Sequence, residues 1–186
     1  METSRTKAPF DRRVRRTRAA IKESFLSLCR EKGLEEITVK EVMSLANVNR
    51  ATFYAHFANL EELSAAIEAD TASAIAARCE EAFAGTADAS AGEACAILCD
   101  ALLDDREALA WIAGPKATGC GREQLRELAR THWMQVTSRP NADGLEFDLL
   151  FDGCVGLAGQ WCEDPESINK AEVKAAICSV AEKLAA

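Results

Sequence analysis

The side chains best suited to meet a charged polymer lie between residues 38 and 57, TVKEVMSLANVNRATFYAHF. Arg50, Thr52, Tyr54 and His56 stand around a short apolar frame in which Phe53 and Phe57 are four residues apart and face inward. A helix of that length fits a DNA major groove, where a guanidinium, hydroxyls and an imidazole can reach base edges and phosphates. Upstream, Arg12, Arg13, Arg15, Arg16 and Arg18 form a cationic run. Cations beside DNA release condensed counterions and add salt-dependent affinity without sequence information.

A second chemistry is suggested by the eight cysteines. Cys95 and Cys99 fall on one face of an expected helix, and His132 could join them in a metal or redox site. Against that stand the absence of a C-x-x-C pair and a total of two histidines. Buried cysteine ordinarily behaves as a small hydrophobe, so neither metal nor cofactor is expected. Cys120, between Gly119 and Gly121, is the thiol expected to be exposed. With His132 it is the one candidate for a nucleophile–base set. No G-x-S-x-G, P-loop or dinucleotide fingerprint occurs, and an enzyme is not expected.

These groups must be carried by helices. Period-2 alternation is nearly absent, whereas Thr38–Glu41, Asn59–Glu62, Ser90–Glu93 and Asn169–Glu172 each place a capping side chain three residues before a Glu. The pattern predicts helices over about 11–32, ending at Gly33, then 38–46, 49–57 and 59–84. Residues 90–114 read as one helix or two, jointed at Asp104-Asp105. A helix through Leu125, Leu128, His132 and Val136 follows, then 145–162 and 168–184. Asn47 sits where the chain must turn sharply, and Asn tolerates the left-handed conformation. The fold class is therefore all-α, with about nine helices.

Charge divides the chain. The formal net charge is −8, yet residues 1–57 carry +5 and residues 58–186 carry −13. A basic head on an acidic body fits that split. No apolar run is long enough for a membrane span and the N-terminus lacks an apolar signal region, so the expected location is the cytoplasm, with reduced thiols and no membrane partner.

From about Arg13 to Ile67 the chain resembles the DNA-binding domain of the tetracycline-repressor (TetR) family of bacterial transcription regulators. The resemblance rests on a first helix ending at Gly33 and on ITVKEVMSLANVNRATFYAHFANLEEL. It implies a basic tail over 1–10, a three-helix helix-turn-helix domain over 11–57, and a helical regulatory and dimerisation domain over 58–186, with 58–84 as the linking helix. It also implies a homodimer on a near-palindromic double-stranded operator, acting as a repressor and released by a small-molecule effector. A regulator without ligand response is the alternative, and a thiol-dependent enzyme or redox sensor a remote one.

The DNA contacts that the resemblance implies are Arg16, Thr38, Asn49, Arg50, Thr52, Tyr54, His56 and Asn59. Asn49 stands where the family commonly has Ser, and Leu60 where many members have Lys. Candidate walls of an effector pocket are Trp111, Trp133, Met134, Phe147, Phe151 and Trp161. The last two helices are expected to form a four-helix interface between protomers through Leu150, Cys154, Leu157, Trp161, Val173, Ile177, Val180 and Leu184.

Overall fold

Helix capping decides where most of the elements of this chain begin. The computed structural model describes residues 7–84, 89–114, 117–137 and 144–185, and among them it contains nine α-helices, one 3₁₀ turn and no strand. The all-α expectation is borne out. The chain divides at Ile67–Glu68 into two compact units, and residues 58–67 fall in the first.

In the first unit, α1 (Lys7–Glu31) starts four residues before the expected Asp11, with Pro9 in its first turn, where a missing amide costs nothing. The start of the expected basic tail, residues 1–6, lies outside the described residues. Ile21 and Phe25 are fully buried on its inner stripe. Gly33, expected to end the helix, has φ −62° and is extended; it leads into the 3₁₀ turn Leu34–Glu36. α2 (Val39–Leu45) begins in a complete capping box. The Glu41 amide donates to Thr38 Oγ1 at 3.3 Å, and the Thr38 amide donates to Glu41 Oε2 at 2.9 Å. Lys32 Nζ reaches the other carboxylate oxygen at 2.6 Å. Asn47 is the one non-glycine among the described residues with positive φ, 52°, and turns the chain into α3 (Arg50–Tyr54). Asn49 caps α3 by accepting from the Thr52 amide at 2.8 Å. The helix stops at Tyr54, short of the expected Phe57. The amides of His56 and Phe57 both donate to Phe53 O, tightening the last turn. α4 (Leu60–Phe83) opens with Asn59 accepting from Glu62 N, while Glu62 reaches back to the Ala58 amide.

The second unit contains the rest of α4 with α5 (Ala91–Leu103), α6 (Arg106–Ala113), α7 (Cys120–Thr137), α8 (Leu145–Glu163) and α9 (Lys170–Ala185). The expected break at 85–89 lies outside the described residues except for Ala89. Asp104-Asp105 is the joint between α5 and α6: Asp105 caps α6 by accepting from Ala108 N at 3.0 Å. The C-terminus of α8 is held by Arg106, whose guanidinium donates twice to the Cys162 carbonyl, a favourable place for a cation. Between α7 and α8, Arg126 spans Asp148 and Asp152 at 2.8 and 2.6 Å and lies 4.6 Å above the Phe151 ring.

Glu68 on α4 is a carboxylate only 1% exposed. A buried anion must be hydrogen-bonded to be tolerated. Glu68 accepts from the amides of Thr118 (2.7 Å), Gly119 (3.1 Å) and Gly121 (2.9 Å) and from the Thr118 hydroxyl. These donors form the N-terminal end of α7, whose unpaired amides and positive dipole end favour an anion. Gly119 makes the turn with φ 93°, and Gly121 permits the close approach, since a Cβ there would stand 2.8 Å from Glu68 Cγ and 3.1 Å from its backbone oxygen.

Two expectations can be measured by thermal or urea unfolding. Gly121→Ala should destabilise the protein by about 1–3 kcal/mol, whereas Gly33→Ala, whose Cβ meets nothing within 4 Å and whose φ is −62°, should cost nothing. Equal effects would remove the close-approach account. In the first unit, hydrogen bonds from Lys32 and then Thr38 lower the Glu41 carboxyl from 4.5 to about 2. A depressed carboxylate stabilises the fold above its unfolded pKa and loses that contribution as pH falls through its folded one. Glu41→Gln should therefore flatten the acid limb of stability between about pH 4.5 and 2; an unchanged limb would exclude the capping box as its source.

Candidate nucleic-acid interface and internal cavity

The first unit presents a short polar face on an aromatic base. Phe53 and Phe57 are buried with ring centroids 6.2 Å apart. Tyr54 meets the edge of Phe53 at 5.4 Å and 85°, which fixes its ring while leaving the residue 45% exposed. The Arg50 guanidinium lies 5.3 Å from the Tyr54 ring centroid, an i,i+4 cation–π pair along α3. Arg18 sits 4.5 Å over Phe57, tying the cationic run of α1 to the same aromatic group. Arg12, Arg13, Arg15 and Arg16 are exposed on α1, Thr52 and His56 are half-buried, and Asn49 is exposed. Arg50 and Tyr54 thus offer a planar cation and a phenol to solvent from one turn of a capped helix.

Thr38 and Asn59 act as the caps read from the sequence, and each makes one further side-chain hydrogen bond. Thr38 donates both its amide and its hydroxyl to Glu41 Oε2, the hydroxyl at 2.7 Å. Asn59 uses its carbonyl oxygen as cap and its amide nitrogen on Glu61 at 3.3 Å. With Glu61 and Glu62 in the first turn of α4, that helix start is acidic, which disfavours a phosphate there.

The second unit encloses a cavity of about 100 Å³ walled by α4 through α9. Trp133, Phe147 and Phe151 line it, as proposed from sequence. Trp111, Met134 and Trp161 do not: Met134 is exposed, and the two tryptophans are half-buried outside the wall. The register of α8 decides where the expected interface residues fall. Leu150 and Cys154, expected at a protomer interface, turn inward with Phe147, Phe151 and Ala158, and all five line the cavity. Ile177 of α9 lines it too, and Val173 is buried at 2% exposure. Leu157, Trp161 and Leu184 are half-buried against the same core. Of the expected interface set, Val180 alone is exposed, at 42%. The outward face of α8 is instead Leu145, Leu149, Gly153 and Gly156, with Leu145 87% and Leu149 69% exposed.

Cys79, Cys95, Cys99 and Cys154 line the cavity beside His132. Burial pushes the Cys95 and Cys154 thiols up to about 12 and Cys79 up to about 11, and raises Cys99 as well. Such thiols carry almost no thiolate at neutral pH and pack as apolar groups. Among the described residues no group of three or more His, Cys, Asp or Glu is arranged to hold a metal ion. Cys120 is exposed at the start of α7, twelve residues before His132 on the same helix. At 1.5 Å per residue the two are about 18 Å apart along the axis, too far for a nucleophile and its base. His132 is 7% exposed, stacks on Phe83 at 4.0 Å, and has Nε2 3.4 Å from Glu80 Oε1 but outside hydrogen-bonding geometry.

Comparison with known proteins places this arrangement. The family described as bacterial regulatory proteins, tetR family, matches residues 26–67, from the last turns of α1 into α4. An uncharacterized HTH-type transcriptional regulator of Bacillus subtilis (strain 168), YxbF, is 48% identical over 55 residues. That stretch is 29% of this chain and 14% of the relative's own length. Over the whole chain, the fold is similar to a TetR transcriptional regulator from Streptococcus agalactiae 2603V, with a TM-score of 0.65 at 19% identity, covering 95% of this chain and 99% of that one. A capping box, an Asn-centred turn and a capped five-residue helix bearing Arg50 and Tyr54 all lie inside the segment that matches the tetR family of bacterial regulatory proteins.

Proposed function

We propose that the chain is a DNA-binding transcriptional regulator, a repressor that sits as a homodimer on a near-palindromic operator and leaves it when a small molecule fills the cavity. The observation that carries this reading is the Arg50–Tyr54 pair, exposed on a short capped helix and backed by buried Phe53. In this reading α3 enters the major groove, with Arg50 and Tyr54 on bases and phosphates, Thr52 and His56 at the backbone, and Arg16 on a flanking phosphate. Asn49 serves through its cap. Thr38 and Asn59 contribute by holding α2 and α4, since their polar groups are already engaged.

The dimer reading is supported by the outward face of α8, where Leu145 and Leu149 stand in line with Gly153 and Gly156. Exposed Val180 on α9 adds to it. Large apolar side chains in line with bare helix backbone suit close packing against a second helix pair. Effector and DNA would then be linked through two conformations of the protein, the effector binding better to the one that fits the operator worse. A cytoplasmic location agrees with the absence, among the described residues, of any helix long and apolar enough to cross a membrane.

Salt-dependent binding to DNA from upstream of the protein's own gene tests the regulator reading, and release by a cavity ligand tests the response. Arg50→Ala and Tyr54→Ala should each weaken operator binding by about 1–3 kcal/mol in fluorescence anisotropy while leaving thermal unfolding intact. Arg16→Ala should lower the slope of log K against log salt by about one. Operator affinity unchanged in both α3 variants would remove α3 as the reading helix. Leu149→Arg should shift the protein toward monomer in sedimentation at micromolar concentration, and a wild-type protein already monomeric there would sink the dimer.

A further inference from the structure

The cavity of the second unit has a wall chemistry narrow enough to name its ligand class, given the reading above that a small molecule enters it. Its wall contains no Asp, Glu, Lys or Arg. Its four cysteines are held as neutral thiols by burial. Trp133, Phe147 and Phe151 supply flat aromatic surface, and sulfur beside an aromatic ring is a favourable contact. His132 is the only side chain of the wall able to hold a positive charge, and its Nε2 is buried without a hydrogen bond.

We infer that the cavity takes a neutral one-ring aromatic or alicyclic molecule with at most one polar atom, which His132 engages. Size points the same way. The volume is about 100 Å³, less than the apolar cavity of about 150 Å³ that holds benzene in another protein, so a single ring is the upper limit. Charge is disfavoured by desolvation: an ion moved into this wall would lose its water, and the one pair of opposite charges beside it, His132 with Glu80, is already matched. The acidic surplus of the chain therefore gives no reason to expect a cationic ligand. The carboxylates near the site, such as Glu80, whose side chain is 61% exposed, lie outside the wall.

Isothermal calorimetry on the full chain, without DNA, reads this directly with toluene, phenol, benzoate and benzylammonium. Toluene and phenol should bind, phenol roughly three- to tenfold tighter through one net hydrogen bond. Benzoate and benzylammonium should bind at least about a hundredfold more weakly than phenol. His132→Phe, which keeps a ring against Phe83, should bring the phenol-to-toluene ratio to about one while toluene still binds. Ala129→Leu, which fills the cavity from α7, should weaken both neutral probes at least about tenfold without lowering thermal stability. Either charged probe matching phenol, failure of both neutral probes to bind, or unaltered binding in Ala129→Leu overturns the inference. An unchanged phenol preference in His132→Phe overturns the role of His132. Neutral probes that bind as expected but leave operator DNA bound would uphold the ligand class and refute the effector reading.

Discussion

A carboxylate with almost no contact with water governs the second unit. Glu68 can be buried because α7 begins where it does, and α7 can begin there because its first amides have an anion to bond. Neither partner is stable alone: an isolated buried charge is expensive, and so is a helix end without acceptors. The pairing fixes the start of α7 against α4, and five cavity residues, from Leu125 to Trp133, are placed by that helix. Gly119 and Gly121 follow from the same constraint, one to make the turn and the other to let the backbone come close.

The first unit is organised by capping rather than by a buried charge. Thr38, Asn49 and Asn59 each accept from an amide of the helix they precede, and Asn47 takes the left-handed turn between the first two of those helices. α2 and α3 are short, so propensity alone would not hold them. Caps at their starts and Phe25, Phe53 and Phe57 in the middle do so. The exposed pair Arg50 and Tyr54 is therefore presented by a scaffold with little freedom to reorient it.

Legibility in the sequence tracks the range of the interaction. Caps, the Asn47 turn and the Asp104-Asp105 joint depend on residues a few positions apart, and these are readable. The early stop of α3 was not, because it depends on Phe53 O accepting from two amides in a tightened turn. Contacts across the chain were also opaque. Nothing local marks Glu68 as different from other glutamates on a polar helix, since its partners lie about fifty positions away. The phase of α8 was unreadable for another reason. LLFDGCVGLAGQWC is apolar nearly all round, so periodicity could not decide between Leu149 and Leu150 as the buried one. The structure turns Leu150 and Cys154 inward, and with that choice the pocket and interface expectations changed together.

The outward face of α8 has a thermodynamic property separate from its hydrophobicity. Gly153 and Gly156 have no side-chain rotamers, so over that stretch the surface loses no side-chain freedom when it is covered. Association ordinarily sacrifices the motion of the long side chains it immobilises. A surface stripped of them keeps more of the free energy of burial as affinity, and even a modest contact area there could hold two helices together.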